Sequence, residues 1–181
     1  MSISMNSRIA AAAFALALAP AAALASGGHG HGDMMGENGS PGMAADATTT
    51  VEIQIYDNYY EPEEIEVKEG ETVRFVITNN GSTVHEFAIA TGEMHEAHES
   101  EMQMMVDHGV IKSDSVDMEA AEAMKKSMGH GMTERPYAVL LEPGQTAELV
   151  WTFPQHADLE FGCSMPGHYA LGMAGSIKLT H

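Results

Sequence analysis

The chain has 181 residues, 26 of them acidic against eight Lys and Arg, for a formal net charge of −18. That balance disfavours nucleic acid and anionic lipid, whose affinity for proteins comes from Lys and Arg, and favours cationic partners: metal ions or a basic protein. Cys163 is the single cysteine, beside 15 methionines and 10 histidines, so it is either an idle thiol or chemically employed within a soft and borderline metal-ligand set.

Arg8 precedes an apolar run that closes on Ala23-Leu24-Ala25, the layout of a cleaved signal peptide over residues 1–25. The run is short of the ~20 apolar residues a membrane span needs, so a periplasmic protein free of the membrane is expected after cleavage. Losing Arg8 with the leader makes the remainder one charge more negative. Residues 26–50 are Gly-rich and nearly free of bulky apolar side chains, which predicts a disordered tail. From Val51 the pattern alternates: Val51, Ile53 and Ile55, then Ile65 and Val67, then Val73, Phe75 and Ile77, with turns at Glu69-Gly70-Glu71 and Asn79-Asn80-Gly81. Val84 to Ala90 reads as a further strand. Residues 91–136 lack this alternation and are rich in Met, Glu, Ala and His, so a helical or partly disordered insert is expected between Thr91-Gly92 and Pro136. Strand character returns at Tyr137 to Leu141, Thr146 to Phe153, Leu159 to Gly162 and Ala174 to Thr180. The expected fold class is all-β, a Greek-key β-sandwich over residues 51–181 interrupted by the insert. Trp151 and Phe153 fall in a strand pattern and read as core residues.

The sharpest chemical signal is the run Cys163 to Met173, spaced C-x4-H-x4-M through His168, on a loop between two predicted strands. Pro166, Gly167 and Gly172 let this loop fold back on itself. A second imidazole has to come from elsewhere, and His85 lies where a predicted strand begins. Two histidines, one thiolate and a weak axial thioether form the ligand set of blue-copper sites, so the expected ligands are His85, Cys163, His168 and Met173, holding Cu(I) or Cu(II). Accessory copper ligands are read from composition. In the tail they are His29, His31, Met34 and Met35; in the insert they are Met94, His95, His98, Met102, Met105, His108, Met128, His130 and Met132. On a helix, Met94, His98 and Met102 recur at four-residue steps and share a face. Methionine filling an apolar helix face against a sandwich is the competing explanation.

These motifs resemble the cupredoxin family. The resemblance rests on Tyr60-Glu61-Pro62, Ile65 to Val73, Asn79-Asn80-Gly81 and His85-Glu86-Phe87 in the first half, and on the Cys–His–Met loop in the last. It implies a sandwich of about eight strands with copper at one end. Many family members carry Asn directly after the first histidine, where it helps pin the ligand loop; Glu86 stands there in this chain. With its Met/His-rich extensions the chain is similar to the CopI-type cupredoxins of bacterial copper resistance. That similarity implies copper tolerance, with a copper-exporting or copper-oxidising protein as a partner. The alternative is a plain electron carrier serving a basic redox protein, for which the extensions have no evident use. An oxidase reducing oxygen to water is disfavoured, because the core lacks the paired His-x-His motifs of a trinuclear centre; oxidation of Cu(I) at the core site stays chemically open.

Overall fold

The alternation read over residues 64–68 and 72–79 passes directly into strands that bury every second side chain. A computed structural model of the chain describes residues 36–128 and 135–181. Their elements are β1 (Ser40–Pro41), β2 (Thr49–Ile55), β3 (Tyr60–Glu61), β4 (Glu64–Lys68), β5 (Thr72–Asn79), β6 (His85–Ala90), α1 (Gly92–Asp107), α2 (Met118–Met128), β7 (Ala138–Leu141), β8 (Thr146–Thr152), β9 (Glu160–Gly162) and β10 (Ala174–Thr180). They form two five-stranded sheets, ordered β1-β8-β5-β2-β3 and β4-β10-β9-β6-β7. Pairing is mixed: β2 runs parallel to β5 and β4 parallel to β10, while the other strand pairs are antiparallel. The expected β-sandwich is the observed fold.

Between the sheets lie Trp151, Tyr60, Phe75, Phe87, Phe153 and Phe161, all fully buried. Each such side chain contributes ~2 kcal/mol of burial energy or more. Tyr60, Phe87 and Phe161 meet one another within 6.1 Å between ring centroids. Strand β6 departs from alternation, being buried along its whole length. Its Phe87 face belongs to the sandwich core, and the opposite face, with Glu86, lies under α1, as the contact of Glu86 with His98 shows.

Two features lie beyond the sequence reading. The expected disordered tail covers residues 26–50; in its described part Ser40 and Pro41 form β1, Ala44–Asp46 form a single 3-10 turn, and Thr49 and Thr50 open β2. Strand β1 pairs with β8, Trp151 Nε1–H donates to the Asn38 carbonyl at 2.7 Å, and the Asn38 amide donates to Ile89 O at 2.8 Å. Main-chain groups and one buried amide hold this stretch, so it carries no apolar periodicity to read. Strand β3 was also unforeseen, since two residues are too few to show a pattern.

The insert forms two helices. Thr91 caps α1, its hydroxyl accepting the Met94 N–H at 3.3 Å. Asp117 accepts the Ala120 N–H at 2.9 Å just ahead of α2, whose last turn carries Lys125 and Lys126 where the helix dipole favours cations. Among the described residues no helix is long and apolar enough to cross a membrane.

Candidate metal centre

Two segments of the chain converge at one end of the sandwich. His85 opens β6, Cys163 directly follows β9, His168 lies in the loop after it, and Met173 directly precedes β10. The loop is folded by its own backbone. The Met173 N–H donates to His168 O at 3.0 Å, and the Cys163 N–H donates to Met173 O at 3.2 Å. Gly172, at φ 91°, takes the left-handed conformation that this reversal needs and that a side chain would resist.

His85 Nδ1 lies 3.9 Å from Cys163 Sγ and His168 Nδ1 lies 3.5 Å from it. The three ligand atoms are all within 4.8 Å of one another, a group a single ion would draw together. Cys163 and His85 are both 0 % exposed, and His168 is half-buried. Burial pushes both imidazoles below their usual value, for His168 with the neighbouring His85 adding to the effect and for His85 with Asp57 opposing it. Both therefore present neutral nitrogens at neutral pH. Burial pushes the Cys163 thiol up to about 12, so a thiolate forms here only when a cation takes the place of the proton. Two neutral imidazoles and a thiol whose proton a metal must displace suit a borderline or soft transition ion.

His85 is aimed by the residues around it. Its Nε2 lies 3.3 Å from Asp57 Oδ1 and 3.0 Å from Thr83 Oγ1. The Asp57 carboxylate, kept ionised by the Ser82 N–H, can only accept, so Nε2 carries the proton and Nδ1 turns its lone pair to Cys163. Gly81 makes room for this: a Cβ there would stand 2.5 Å from Asp57 Oδ1 and 2.9 Å from His85 Nε2. Asn79, read from sequence only as part of a turn, is a buried brace for the same loop. Its amide donates to Thr83 O at 2.8 Å and Leu141 O at 2.9 Å, and its Oδ1 accepts the Gly81 N–H at 2.9 Å.

Glu86 supplies a clamp on the ligand loop in its own way. One carboxylate oxygen accepts the Ser164 N–H at 3.1 Å and the other contacts His98 Nε2 at 3.1 Å, while the Glu86 N–H points to Cys163 Sγ at 3.4 Å. Helix α1 thus lies against the ligand loop. His95 Nδ1 is 3.2 Å from Ser164 Oγ, its ring stacks on Tyr169 at 4.9 Å, and Glu99 accepts the Gly167 N–H at 2.8 Å. No signal in the sequence paired Glu86 with His98; its departure from the family's Asn was the single pointer to the position.

The shared α1 face is occupied by packing. Met94, Met102 and Met105 join the hydrophobic core, and His95 and His98 are buried in the polar contacts just given. No α1 histidine belongs to a convergent group of three His, Cys or carboxylate ligand atoms among the described residues. His108 is exposed at the end of α1, and Met128 is the last residue of α2. His29, His31, Met34, Met35, His130 and Met132 lie outside the described residues, as does the expected leader.

A family model described as a cupredoxin-like domain matches residues 8–107, more than half of the chain. The chain belongs to the cupredoxin family. Copper is the metal that this membership implies for the convergent site. A curated relative from Pseudomonas aeruginosa, named copper-resistant cuproprotein CopI, is 40% identical over 151 residues, covering 78% of this chain and 81% of its own. A protein of the same name from Rubrivivax gelatinosus is 36% identical over 140 residues, covering 77% and 71%. Among solved structures, dithionite-reduced auracyanin from Roseiflexus castenholzii superimposes with a TM-score of 0.51 at 25% identity, over 75% of this cupredoxin and 99% of that chain. Auracyanin B gives a TM-score of 0.56 at 17% identity, over 81% and 96%, and shows the shared fold alone.

Proposed function

We propose that this cupredoxin acts in the periplasm in copper tolerance, holding one type 1 copper through His85, Cys163, His168 and Met173. The observation that carries this reading is the convergence of two neutral imidazoles, one buried and one half-buried, on the single thiol, in a chain similar to copper-resistance cuproproteins. Met173 is buried, and its backbone is bonded to both Cys163 and His168, so it would be the residue at hand to supply a thioether to the ion. The copper supplies a one-electron couple between Cu(I) and Cu(II). The chain's own residues keep the site rigid: Asp57 orients His85, Glu86 pins Ser164, and α1 covers the loop.

Accessory copper is assigned to the remaining soft ligands, His29, His31, Met34 and Met35 in the tail and His108, Met128, His130 and Met132 in the insert. Their partners in the cell would be copper ions and a copper-exporting or copper-oxidising protein. Replacing these eight side chains should weaken growth in excess copper while leaving the core site's spectrum unchanged. Growth in copper unaffected by these replacements would overturn the assignment. A respiratory defect on deletion of the whole gene would favour the electron carrier. That second reading draws on Leu171, which is 87 % exposed three residues beyond His168, beside the exposed Ala170, as an apolar rim where a redox partner docks.

The axial assignment has its own test. Met173→Leu should keep a coloured site and shift its potential upward, because a weak axial thioether tunes the ion more than it holds it. Redox titration of the purified variant checks this, and loss of all copper would make Met173 a principal ligand in a different geometry.

A further inference from the structure

A second group of ligand atoms converges far from the first. Glu69 follows β4, His156 lies between β8 and β9, and His181 directly follows β10. His156 Nδ1 is 2.9 Å from Glu69 Oε1 and His181 Nδ1 is 3.0 Å from Glu69 Oε2, and the three ligand atoms lie within 4.8 Å of one another. Met173, on the ligand loop, precedes β10 and His181 follows it. Seven strand residues at ~3.3 Å each separate the two clusters by about 23 Å. They occupy opposite ends of the same strand.

The cluster is assembled with some care. Glu69 is fixed at the backbone, its N–H donating to Thr180 O at 2.9 Å, and its side chain is only 13 % exposed. Both histidines by contrast are open to solvent, at 71 % and 81 %. His156 holds φ at 58°, a left-handed conformation unusual for a residue with a side chain, and its N–H donates to Glu69 Oε1 at 3.2 Å. Burial acts to raise the Glu69 carboxyl, but the His156 N–H and the two imidazoles outweigh it and hold the group below its usual range. A fixed carboxylate is thus flanked by two solvent-accessible imidazoles whose Nδ1 atoms face it.

We propose that Glu69, His156 and His181 form a second metal site that takes Cu(II) from solution. Two imidazoles and a carboxylate, with neither thiolate nor thioether, suit a borderline divalent ion and not Cu(I). Cu(II) stands above Zn(II) at such ligands in the general affinity order. The strongly negative chain concentrates the cation around it. The site is open, so the remaining positions on the ion are left to water, and its occupancy does not depend on the core copper.

The test uses the full chain with its core site loaded, titrated with Cu(II) alone and followed by electron paramagnetic resonance. The parent should take up one equivalent more than the double variant His156→Gly/His181→Asn, and the difference between their spectra should be a colourless Cu(II) signal with imidazole nitrogen couplings. Glycine suits the positive φ at position 156, and an unchanged core visible band certifies the fold. Glu69→Gln, which keeps both histidines, should lose the equivalent as well. Equal uptake and identical spectra in parent and double variant would overturn the proposal and leave these side chains as a surface ion-pair cluster. Broadening of the His156 and His181 ring resonances by sub-stoichiometric Cu(II) is the independent check; its absence in the parent counts equally against the site.

Discussion

Cys163→Ser should abolish the visible absorption of the oxidised copper protein. An intense visible band requires charge transfer from a thiolate to Cu(II), and Cys163 is the single source of a thiolate in the chain. Its Sγ is the hub of the site, 3.5 Å from one imidazole and 3.9 Å from the other. A serine hydroxyl fits the same buried space and accepts the Glu86 N–H, so the fold should survive, but it does not ionise at neutral pH. In the parent, burial pushes the free thiol up to about 12, so colour appears only with the metal and reports occupancy of this site alone. The measurement is a visible spectrum with copper counting on parent and variant. A variant that keeps the band would remove Cys163 from the ligands and with it the proposed site.

His98→Leu should destabilise the copper-free protein by ~3 kcal/mol, the order expected when one partner of a buried ion pair is removed. His98 lies between two carboxylates, with Nε2 3.1 Å from Glu86 and Nδ1 3.4 Å from Glu101. Burial alone would lower its pKa, yet the hydrogen bonds and charges of Glu101 and Glu86 prevail and raise it to about 9. The imidazolium is therefore the resident form at neutral pH. Leucine fills the space but strands Glu86, whose remaining side-chain partner is the Ser164 N–H; Glu101 still has Arg135. The double variant Glu86→Gln/His98→Leu should recover much of the loss, because it removes the unpaired charge as well.

The same pair sets the pH dependence. The folded pKa of His98 is above the unfolded value of about 6.5, so its stabilisation is fully present below that value and is lost as pH rises through about 9. His85 and His168 act in the opposite sense: held neutral by burial, they lower stability as pH falls below about 6.5, where the unfolded chain binds their protons. Copper-free protein should be most stable at about pH 6.5, and denaturant midpoints measured across pH should show the alkaline loss in the parent and not in His98→Leu. A variant as stable as the parent, with the same alkaline loss, would mean that the contact with Glu86 contributes nothing.

The sandwich was legible in the sequence because its signal is local. Ile53 and Ile55, Val73, Phe75 and Ile77, and the β10 run announce their strands by alternation, and alternation follows from backbone geometry at every residue. Part of the metal centre was legible for a related reason: Cys163 and His168 sit five residues apart on one loop, and their ligand atoms lie 3.5 Å apart. What surrounds the site was not legible. Glu86 finds His98 twelve positions along the chain and Ser164 seventy-eight along it, and Asn38 finds Trp151 across 113. Such partners are chosen by the packing of a helix on a sheet, after the strands have assembled, and no periodicity records them. The α1 face shows the same limit: Met94, His98 and Met102 share one side in either case, and only the position of the sheet decided that this side is buried. Glu69, His156 and His181 are brought together by the ends of β4 and β10 and the loop between β8 and β9, a coincidence of topology with no trace in spacing or composition.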